Sequence, residues 1–332
     1  MTSLTGAGGV VLQQGRQLPA PPWRGIAAGA AWLALSGATY ALPEAGDFPY
    51  TGALAAASLA LGLILPVAAV VSGKLGRIGL SLAHWTPWLA VLALAFLAWE
   101  LATAKLELLP MPFFPPPQAI LEVFLEDWPK LGGSVLASLK LLAGGYLIGA
   151  AAGFTLGVAV GWSRAVGYWV HPVLRFVGPL PATAWLPLAF FVFPSSWSAS
   201  TFLVALATGF PVTVLTWSGV AGVNKAYFDV ARTLGASPLF LVTRVAIPAA
   251  LPHVFVGLFM GLGGSFAVLV VAEMLGVKSG LGWYLQWAQG WAAYANMYAA
   301  LIVMALMCSS LITLLFRVRD RVLSWQKGLV QW

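Results

Sequence analysis

Long apolar stretches constrain the fold of this chain more than any other feature of its sequence. A helix needs roughly 20 mostly apolar residues to cross the hydrocarbon core of a bilayer. Hydrophobic residues make up 60% of the 332 residues and charged residues only 8%, against about 25% charged residues in soluble proteins. The sequence therefore predicts an all-α polytopic membrane protein with about eight spans: Ile26–Leu42, Gly52–Ser72, Trp85–Ala104, Leu141–Trp162, Pro172–Pro194, Thr201–Val220, Phe255–Val277 and Met297–Phe316.

The first stretch also has a second interpretation. The basic residues Arg16 and Arg24 precede it, as they would in a cleaved signal peptide. This basic region is long, however, and no clear A-x-A cleavage site follows the apolar run. We therefore expect a transmembrane span here, and a cleaved segment is the alternative.

The lysines and arginines orient the predicted spans, because cytoplasmic loops are enriched in basic residues. An N-terminus inside the cell places thirteen basic residues on the cytoplasmic side: Arg16, Arg24, Lys74, Arg77, Arg164, Arg175, Lys225, Arg232, Arg244, Arg317, Arg319, Arg321 and Lys327. Four fall opposite: Lys105, Lys130, Lys140 and Lys278. Both termini are therefore expected in the cytoplasm. The basic residues are scattered between apolar runs, so we expect membrane lipid and no nucleic acid as a partner.

The sequence offers no catalytic or metal-binding constellation. Cys308 is the single cysteine, and the three histidines lie far apart in sequence. The pair Gly73-Lys74 lacks the remainder of a phosphate-binding GxxxxGK[ST] loop. We therefore expect a chain that is not an enzyme, that binds no metal or cofactor and that does not hydrolyse nucleotides itself.

Two predicted spans carry faces of small residues. One has five glycines at four-residue spacing: Gly145, Gly149, Gly153, Gly157 and Gly161. The other has Gly257 and Gly261, followed by Ser265. Such faces let helix backbones approach closely within a bilayer. They indicate tight packing within the chain, or alternatively a seam between subunits.

The predicted span Pro172–Pro194 contains interior prolines, which free backbone carbonyls that hydrocarbon cannot satisfy. This span is a candidate for a translocation path, and a kinked structural helix is the alternative. Thr183, Trp185 and Ser265 are candidate lining residues. Glu273 is a fourth candidate, because intramembrane acids are often functional. For Glu273, as for Glu100, the alternative is a hydrogen-bonded carboxylate at headgroup level.

The predicted cytoplasmic loop 221–253 contains a short helix. Residues 226–234 include no glycine or proline, and Gly235 follows at the position just past the helix end, where glycine is favoured. Phe228, Ala231 and Leu234 recur at i, i+3 and i+6, so the helix is expected to present an apolar face beside Asp229 and Arg232. An exposed helix with such a face is typical of docking into a groove on a partner.

This loop resembles the EAA loop in permease subunits of ATP-binding-cassette importers, whose signature is E-A-A-x-x-x-G. The chain has D-V-A-R-T-L-G at Asp229–Gly235, followed by Val245, Ile247 and Pro248. Asp229 replaces the usual glutamate, and Val230 replaces the first alanine. The resemblance implies an ATPase-coupling role for Asp229, Ala231, Arg232, Gly235 and Pro248.

Other segments are similar to the nitrate/sulfonate/taurine/bicarbonate branch of these permeases. Examples are PATAWLPLAFF, RVAIPAALPHVFVGL and VVAEMLGVKSGLGWYL, within a match over roughly residues 85–325. The resemblance implies a six-helix permease core at 85–325, after a cytoplasmic segment 1–25 and an accessory hairpin 26–84, with a cytoplasmic tail 326–332. It also implies a bacterial inner-membrane homodimer, two cytosolic ATPase subunits that hold ATP and Mg²⁺, and a periplasmic binding protein.

We therefore expect alternating-access import of a small anion such as nitrate, taurine, an alkanesulfonate or bicarbonate. An uncharged vitamin precursor is an alternative substrate. An ion-coupled secondary carrier is an alternative mechanism, although neither a repeated half nor mid-membrane charges are evident. A membrane-embedded enzyme is a third hypothesis for the function.

Overall fold

The computed structural model describes residues 23–71 and 76–326 of the chain, with no strand in these ranges. Predictions that involve Arg16, Lys74, the side chain of Arg77, Lys327 or the terminal segments 1–22 and 327–332 lie outside the described residues. The helices are α1 Trp23–Ala41, α2 Thr51–Val71, α3 Gly76–Glu100, α4 Pro117–Glu126, α5 Trp128–Trp162, α6 Arg164–Val177, α7 Leu186–Val192, α8 Ser196–Ala221, α9 Lys225–Thr233, α10 Pro238–Phe240, α11 Ile247–Leu275, α12 Leu281–Gly290 and α13 Tyr294–Val322.

In the described part of the chain, six helical segments are long and apolar enough to cross a membrane: Thr51–Val71, His84–Lys105, Trp128–Trp162, Ser196–Ala221, Pro238–Leu275 and Tyr294–Val322. The pair Arg164–Val177 and Ala182–Val192 makes a seventh span if the two are counted together, and they are bent by 88°. Helix α1 has 19 residues but is not among these spans. Its polar residues, including Arg24 and Tyr40, lower its hydropathy. Among the described residues the count is therefore six or seven, close to the value of about eight expected from the sequence.

The chain divides into two compact units, Met1–Leu121 and Glu122–Trp332. The two units meet between residues 121 and 122, whereas the sequence led us to expect a boundary between residues 84 and 85. The units meet later because α3 packs against α1 and α2. The core of the first unit contains Ala28, Trp32 and Leu35 of α1 together with Ala93 of α3. Ser36 also donates a hydrogen bond of 2.8 Å to the Ala55 carbonyl of α2.

Lys105 is buried within the first unit, whereas the sequence placed it in an extracytoplasmic loop. It ends the π-helical turn Leu101–Lys105 that continues α3. Its ammonium donates to the carbonyls of Thr39 and Leu42 at 2.8 and 3.0 Å, and to Glu44 Oε1 at 3.1 Å. Its side chain is only 1% exposed. The C-terminal end of α1, whose carbonyls lack helical partners, is therefore closed by a buried cation from α3.

Glu100 belongs to the same buried group. It is fully buried, lies 3.8 Å from the Lys105 ammonium and accepts a hydrogen bond of 3.2 Å from Gln118 Nε2. This intramembrane acid therefore helps hold the first unit together.

The second unit is built around α8, which lies between α5 and α11. All five glycines of the α5 face point at α8 of the same chain. A Cβ on Gly153 would lie 2.6 Å from the Gly209 carbonyl oxygen, and one on Gly157 would lie 2.7 Å from that of Thr213. Only glycine permits this separation of the two backbones.

The small residues of α11 also pack against α8, at the same two residues, Thr208 and Val212, that the α5 glycines contact. A Cβ on Gly257 would lie 3.0 Å from Val212 Cα, and one on Gly261 would lie 3.1 Å from the Thr208 carbonyl oxygen. Leu203, Val204 and Val212 of α8 are consequently fully buried. The two glycine faces thus bring three helices together within one chain.

Candidate functional site

Helix α9 is closed at both ends by local hydrogen bonds. Asn224 Oδ1 accepts from the Ala226 amide at 3.0 Å at the N-terminus. At the C-terminus the Gly235 amide donates to the Arg232 carbonyl at 2.9 Å, and the Ala236 amide donates to the Ala231 carbonyl at 3.0 Å. This is a Schellman motif, and Gly235 has the required positive φ of 81°. The helix Lys225–Thr233 agrees within one residue with the expected segment 226–234.

The outward face of α9 differs from the one expected from the sequence. Phe228 contacts the Trp162 ring at 5.9 Å between centroids and packs against the small core of Val220, Ala246 and Ala250. Because α5 and α8 end beside α9, Phe228 is held by its own chain. The prediction that Phe228 faces a partner is therefore wrong, because Phe228 packs against its own chain.

The exposed apolar side chains lie on a different face, which keeps Leu234 of the predicted docking face; Leu234 directly follows the last residue of α9. Tyr227 and Val230 are each 61% exposed, and Leu234 is 83% exposed. They recur at i, i+3 and i+7, which is one face of a helix. We call these three residues the α9 outer face.

The other residues that the resemblance assigns to coupling lie elsewhere on α9 or at the start of α11. Arg232 Nη1 lies 3.3 Å from Asp229 Oδ1, and both side chains are largely exposed, so the pair adds little stability. Ala231 is half-buried on the inner side. Pro248 lies in the first turn of α11, directly after the π-helical turn Leu241–Ala246.

The proline-rich segment is a broken helix. Between α6 and α7 the chain forms a 3₁₀ turn at Ala182–Trp185. A cavity of about 320 Å³ lies between this break and the helices α8 and α11, and its walls include Thr183, Phe210 and Gly264. Trp185 does not line this cavity. Ser265 is fully buried and donates to the Leu262 carbonyl of its own helix at 2.9 Å. Apart from Glu273, the sequence offered three candidate lining residues, Thr183, Trp185 and Ser265. Only Thr183 lines this cavity.

Glu273 connects three helices at the end of the unit opposite α9. It is 1% exposed, and its Oε2 accepts from Ser138 Oγ of α5 at 2.9 Å and from the Gly282 amide of α12 at 2.8 Å. Ser138 Oγ in turn accepts from the Leu281 amide at 2.8 Å. Glu273 and Ser138 thus each satisfy one free amide at the N-terminus of α12, that of Gly282 and that of Leu281 respectively.

Gly280 was not identified from the sequence as part of this network. It has a φ of 107° and lies against the Glu273 carboxyl group, where a Cβ would clash. A Cβ on Gly282 would lie 2.5 Å from the Val270 carbonyl oxygen. The spacing of the two glycines in SGLG was visible in the sequence, but their shared contact with α11 was not.

A second polar cluster lies on α12. Asp127 Oδ2 accepts from Tyr284 Oη at 3.0 Å and from Asn296 Nδ2 at 2.9 Å. Burial raises the pKa of Tyr284 to about 12, so its hydroxyl keeps the proton that it donates. The Lys130 ammonium lies 3.1 Å from the centroid of the Trp287 ring. Two groups of contacts therefore fix α12 against α5.

No three His, Cys, Asp or Glu side chains converge as a metal site would require in the part of the chain that the structure describes. The assembled features are instead an exposed apolar helix at one end of a membrane bundle, a broken span beside a cavity, and a fixed short helix at the other end.

Comparison with known proteins places these features in a family. Residues 145–326 match the model of the binding-protein-dependent transport system inner membrane component. The chain is 31% identical to the aliphatic sulfonates transport permease SsuC of Bacillus subtilis, over 60% of this chain and 72% of that protein. It is 32% identical to the nitrate import permease NrtB of Leptolyngbya laminosa (54% and 63%) and 31% identical to the bicarbonate transport permease CmpB of Synechococcus elongatus (57% and 66%).

The family match covers more than half of the chain and includes the broken span, α8, α9, α11 and α12. This match favours a permease of the binding-protein-dependent type over the two alternatives considered from the sequence, an ion-coupled secondary carrier and a membrane-embedded enzyme. The chain therefore belongs to the inner membrane components of binding-protein-dependent transport systems and is a permease subunit of an ABC importer.

Proposed function

We propose that two copies of this chain form the translocation path of an ATP-driven importer for a small oxyanion. Two cytosolic ATPase subunits would bind the α9 outer faces, and a periplasmic binding protein would deliver the substrate. The relatives are named for sulfonates, nitrate and bicarbonate, all of which are small oxyanions. The shared chemistry of these substrates supports the proposed class.

The observation that carries this proposal is the exposure of α9. Two apolar side chains of the nine-residue helix and that of Leu234, which directly follows it, are more than half exposed, while Phe228 anchors the helix to α5 and α8. A helix held on one side and apolar on the other fits a groove on a partner. Movement of the partner would be transmitted through Phe228 to the ends of two spans.

The position of α9 also suggests how the chain is oriented in the membrane. If α9 meets a cytosolic ATPase, then α12 and the Glu273 network lie at the periplasmic end. The C-terminal end of α13, with Arg319 and Arg321, would then be cytoplasmic, in agreement with the distribution of basic residues. A cytoplasmic N-terminus would require α1 to cross the membrane as well.

The energy for transport would come from the ATPase subunits, which hold ATP and Mg²⁺. ATP can shift the two permease chains between inward-open and outward-open states only by binding one state more tightly than the other. In each chain, the break at Ala182–Trp185 and its cavity would face the path. Broken helices at membrane depth require protein or water around them, which supports this placement.

The experiment tests the α9 outer face directly. The tagged chain is coexpressed with the ATPase subunit of its own importer, either as wild type or as Val230→Asp, and the copurified ATPase is measured. Because Val230 is exposed, an aspartate there should leave the permease folded but weaken ATPase binding at least tenfold. Lys278→Asp, an exposed change at the other end of the second unit, is the control.

Uptake of labelled nitrate, bicarbonate and ethanesulfonate into vesicles that contain the complete importer then tests the substrate class. An uncharged vitamin precursor such as a pyrimidine serves as the comparison. If Val230→Asp copurifies as much ATPase as wild type, α9 is not the docking element. Uptake of the uncharged compound alone would reject the oxyanion assignment.

A further inference from the structure

A second cavity in the second unit lies away from the broken span, where α5, the start of α8 and the end of α11 meet. It has a volume of about 390 Å³. None of the residues that line it also lines the cavity at the proline break. Its walls include Gly133, Leu136, Lys140, Trp197, Val277 and Ser279.

This cavity lies at the depth where the spans leave the hydrocarbon. Trp197 is in the first turn of α8, and Val277 lies just beyond the end of α11 at Leu275. Lys140 directly precedes Leu141, where the apolar run of α5 begins. Trp197 is 52% exposed, and tryptophan is enriched at the level of the lipid headgroups. The cavity is therefore at headgroup level and not in the middle of the membrane.

Lys140 is the exposed charge of this cavity. Among the described residues, no carboxylate forms an ion pair with its ammonium group. Glu273 also borders the cavity, but it is 1% exposed, and its Oε2 accepts hydrogen bonds from Ser138 and Gly282. The residues that line the cavity therefore present a cation, and no accessible anion, to the headgroup region.

An apolar groove continues from Lys140 along the same face of α5. Gly144 and Leu147 lie four and seven residues after Lys140, which places all three on one side of the helix. A Cβ on Gly144 would lie 3.9 Å from the Trp197 ring and 4.0 Å from Thr201 Cγ2, so the absent side chain leaves a shallow space beside α8. Leu147 is 65% exposed and lies deeper in the apolar run. A cation at headgroup level above an exposed apolar groove is complementary to an amphiphile with a negative headgroup.

We propose that this cavity binds the phosphate group of an anionic phospholipid, with an acyl chain in the groove at Gly144 and Leu147. The Lys140 ammonium and the Ser279 hydroxyl would donate to the phosphate oxygens. A zwitterionic phospholipid brings an ammonium group of its own, and the buried Glu273 cannot accept from it. The cavity therefore favours a lipid with a net negative charge.

The inference goes beyond the proposed transport function, because the lipid is neither the substrate nor a subunit of the importer. It uses that function only to place the lipid in the periplasmic leaflet. Binding can be measured without ATP, the ATPase subunits or the binding protein. Failure of the α9 experiment and failure of this one are therefore distinguishable.

The test measures lipid binding to the full-length chain by native mass spectrometry, with added dioleoyl phosphatidylglycerol or dioleoyl phosphatidylethanolamine. These lipids share their acyl chains and phosphate, but only the second carries an ammonium group. Wild type should bind phosphatidylglycerol about fivefold more tightly, the factor that one basic residue contributes at an anionic lipid surface. Lys140→Met should remove this preference, and Lys140→Arg should keep it. Lys225→Met, an exposed change at the α9 end, should leave it unchanged.

Two adjacent glycines supply a matched pair of variants. A Cβ on Gly132 or on Gly133 would meet no atom within 4 Å, and both lie in α5, but only Gly133 lines the cavity. Gly133→Leu should therefore fill the cavity and weaken phosphatidylglycerol binding to the level of Lys140→Met. Gly132→Leu should bind this lipid like wild type.

Two further measurements separate other occupants of the cavity. Glycerol 1-phosphate, which lacks acyl chains, should not displace phosphatidylglycerol, and displacement would assign the cavity to a soluble phosphate instead. The same spectra report the dimer. If Gly133→Leu abolishes the dimer and leaves lipid binding unchanged, a second copy of the chain covers this face and the proposal is wrong. Equal affinities of wild type for the two lipids, unchanged binding by Lys140→Met, or equal effects of the two glycine variants would also overturn it.

Discussion

At the scale of single residues, the end of α9 depends on one backbone angle. Gly235 has a φ of 81°, and a Cβ added there would meet no atom within 4 Å. A substitution at this position therefore acts through backbone conformation and not through a clash. Left-handed backbone costs an L-residue about 1–2 kcal/mol.

We predict that Gly235→Val impairs ATP-coupled transport several-fold while the chain inserts normally, because a β-branched residue opposes the Schellman closure. Gly235→Asn should have a smaller effect, since asparagine tolerates positive φ better. Substrate-stimulated ATP hydrolysis by the reconstituted importer measures both variants. Wild-type rates with valine would show that closure of α9 at Gly235 does not matter for coupling.

Lys105 supports a prediction about stability. Its removal would leave the Glu44 and Glu100 carboxylates without their cation and the last carbonyls of α1 without a donor. Loss of one partner from a buried ion pair costs about 3–5 kcal/mol. Lys105→Met should therefore lower the thermal unfolding temperature of the purified chain, followed by tryptophan fluorescence. The exposed Lys278→Met should not, and equal unfolding temperatures for the two variants would contradict the role of the buried cluster.

At the scale of elements, the contact between α5 and α8 is set by small residues. A Cβ on Gly153 would lie 2.6 Å from the Gly209 carbonyl oxygen and 2.9 Å from Val212 Cβ. We expect Gly153→Leu to destabilise the second unit by about 1–3 kcal/mol or more, because the backbones must move apart.

The matched control is Gly132→Leu, in the same helix but with open space around its Cβ. Comparison of the two variants by thermal unfolding in the same lipid separates helix packing from a general effect of leucine. Similar unfolding temperatures would indicate that α5 and α8 can separate without cost.

At the scale of the whole molecule, the cavity beside the broken span should change its access to water during transport. Thr183 lines this cavity, whereas Ser265 is fully buried in α11. In a Cys308→Ala background, Thr183→Cys should react with a small aqueous thiol reagent at a rate that changes when ATP is trapped. Ser265→Cys should stay unlabelled in every nucleotide state. Labelling of the Thr183→Cys variant at one constant rate would place the path elsewhere.

The sequence determined those features that depend on residues close together in the chain. Apolar length and proline spacing predicted most spans and the break between α6 and α7. A glycine after a segment free of glycine and proline predicted the end of α9. Local hydrogen bonds and helical periodicity follow from neighbouring residues, so these features could be identified before the fold was known.

The tertiary structure decided which side chains meet. Phe228 turns inward because α5, which is distant in sequence, ends beside it at Trp162, and Val220 near the end of α8 packs against it as well. Glu273 finds Ser138, which lies 135 positions away, and Lys105 reaches the carbonyl of Thr39 across 66 positions. The same residue types in the same local pattern could face lipid, solvent or protein. Their burial and hydrogen bonding are fixed only when distant helices pack together, because the cost of an unpaired polar group depends on everything that surrounds it.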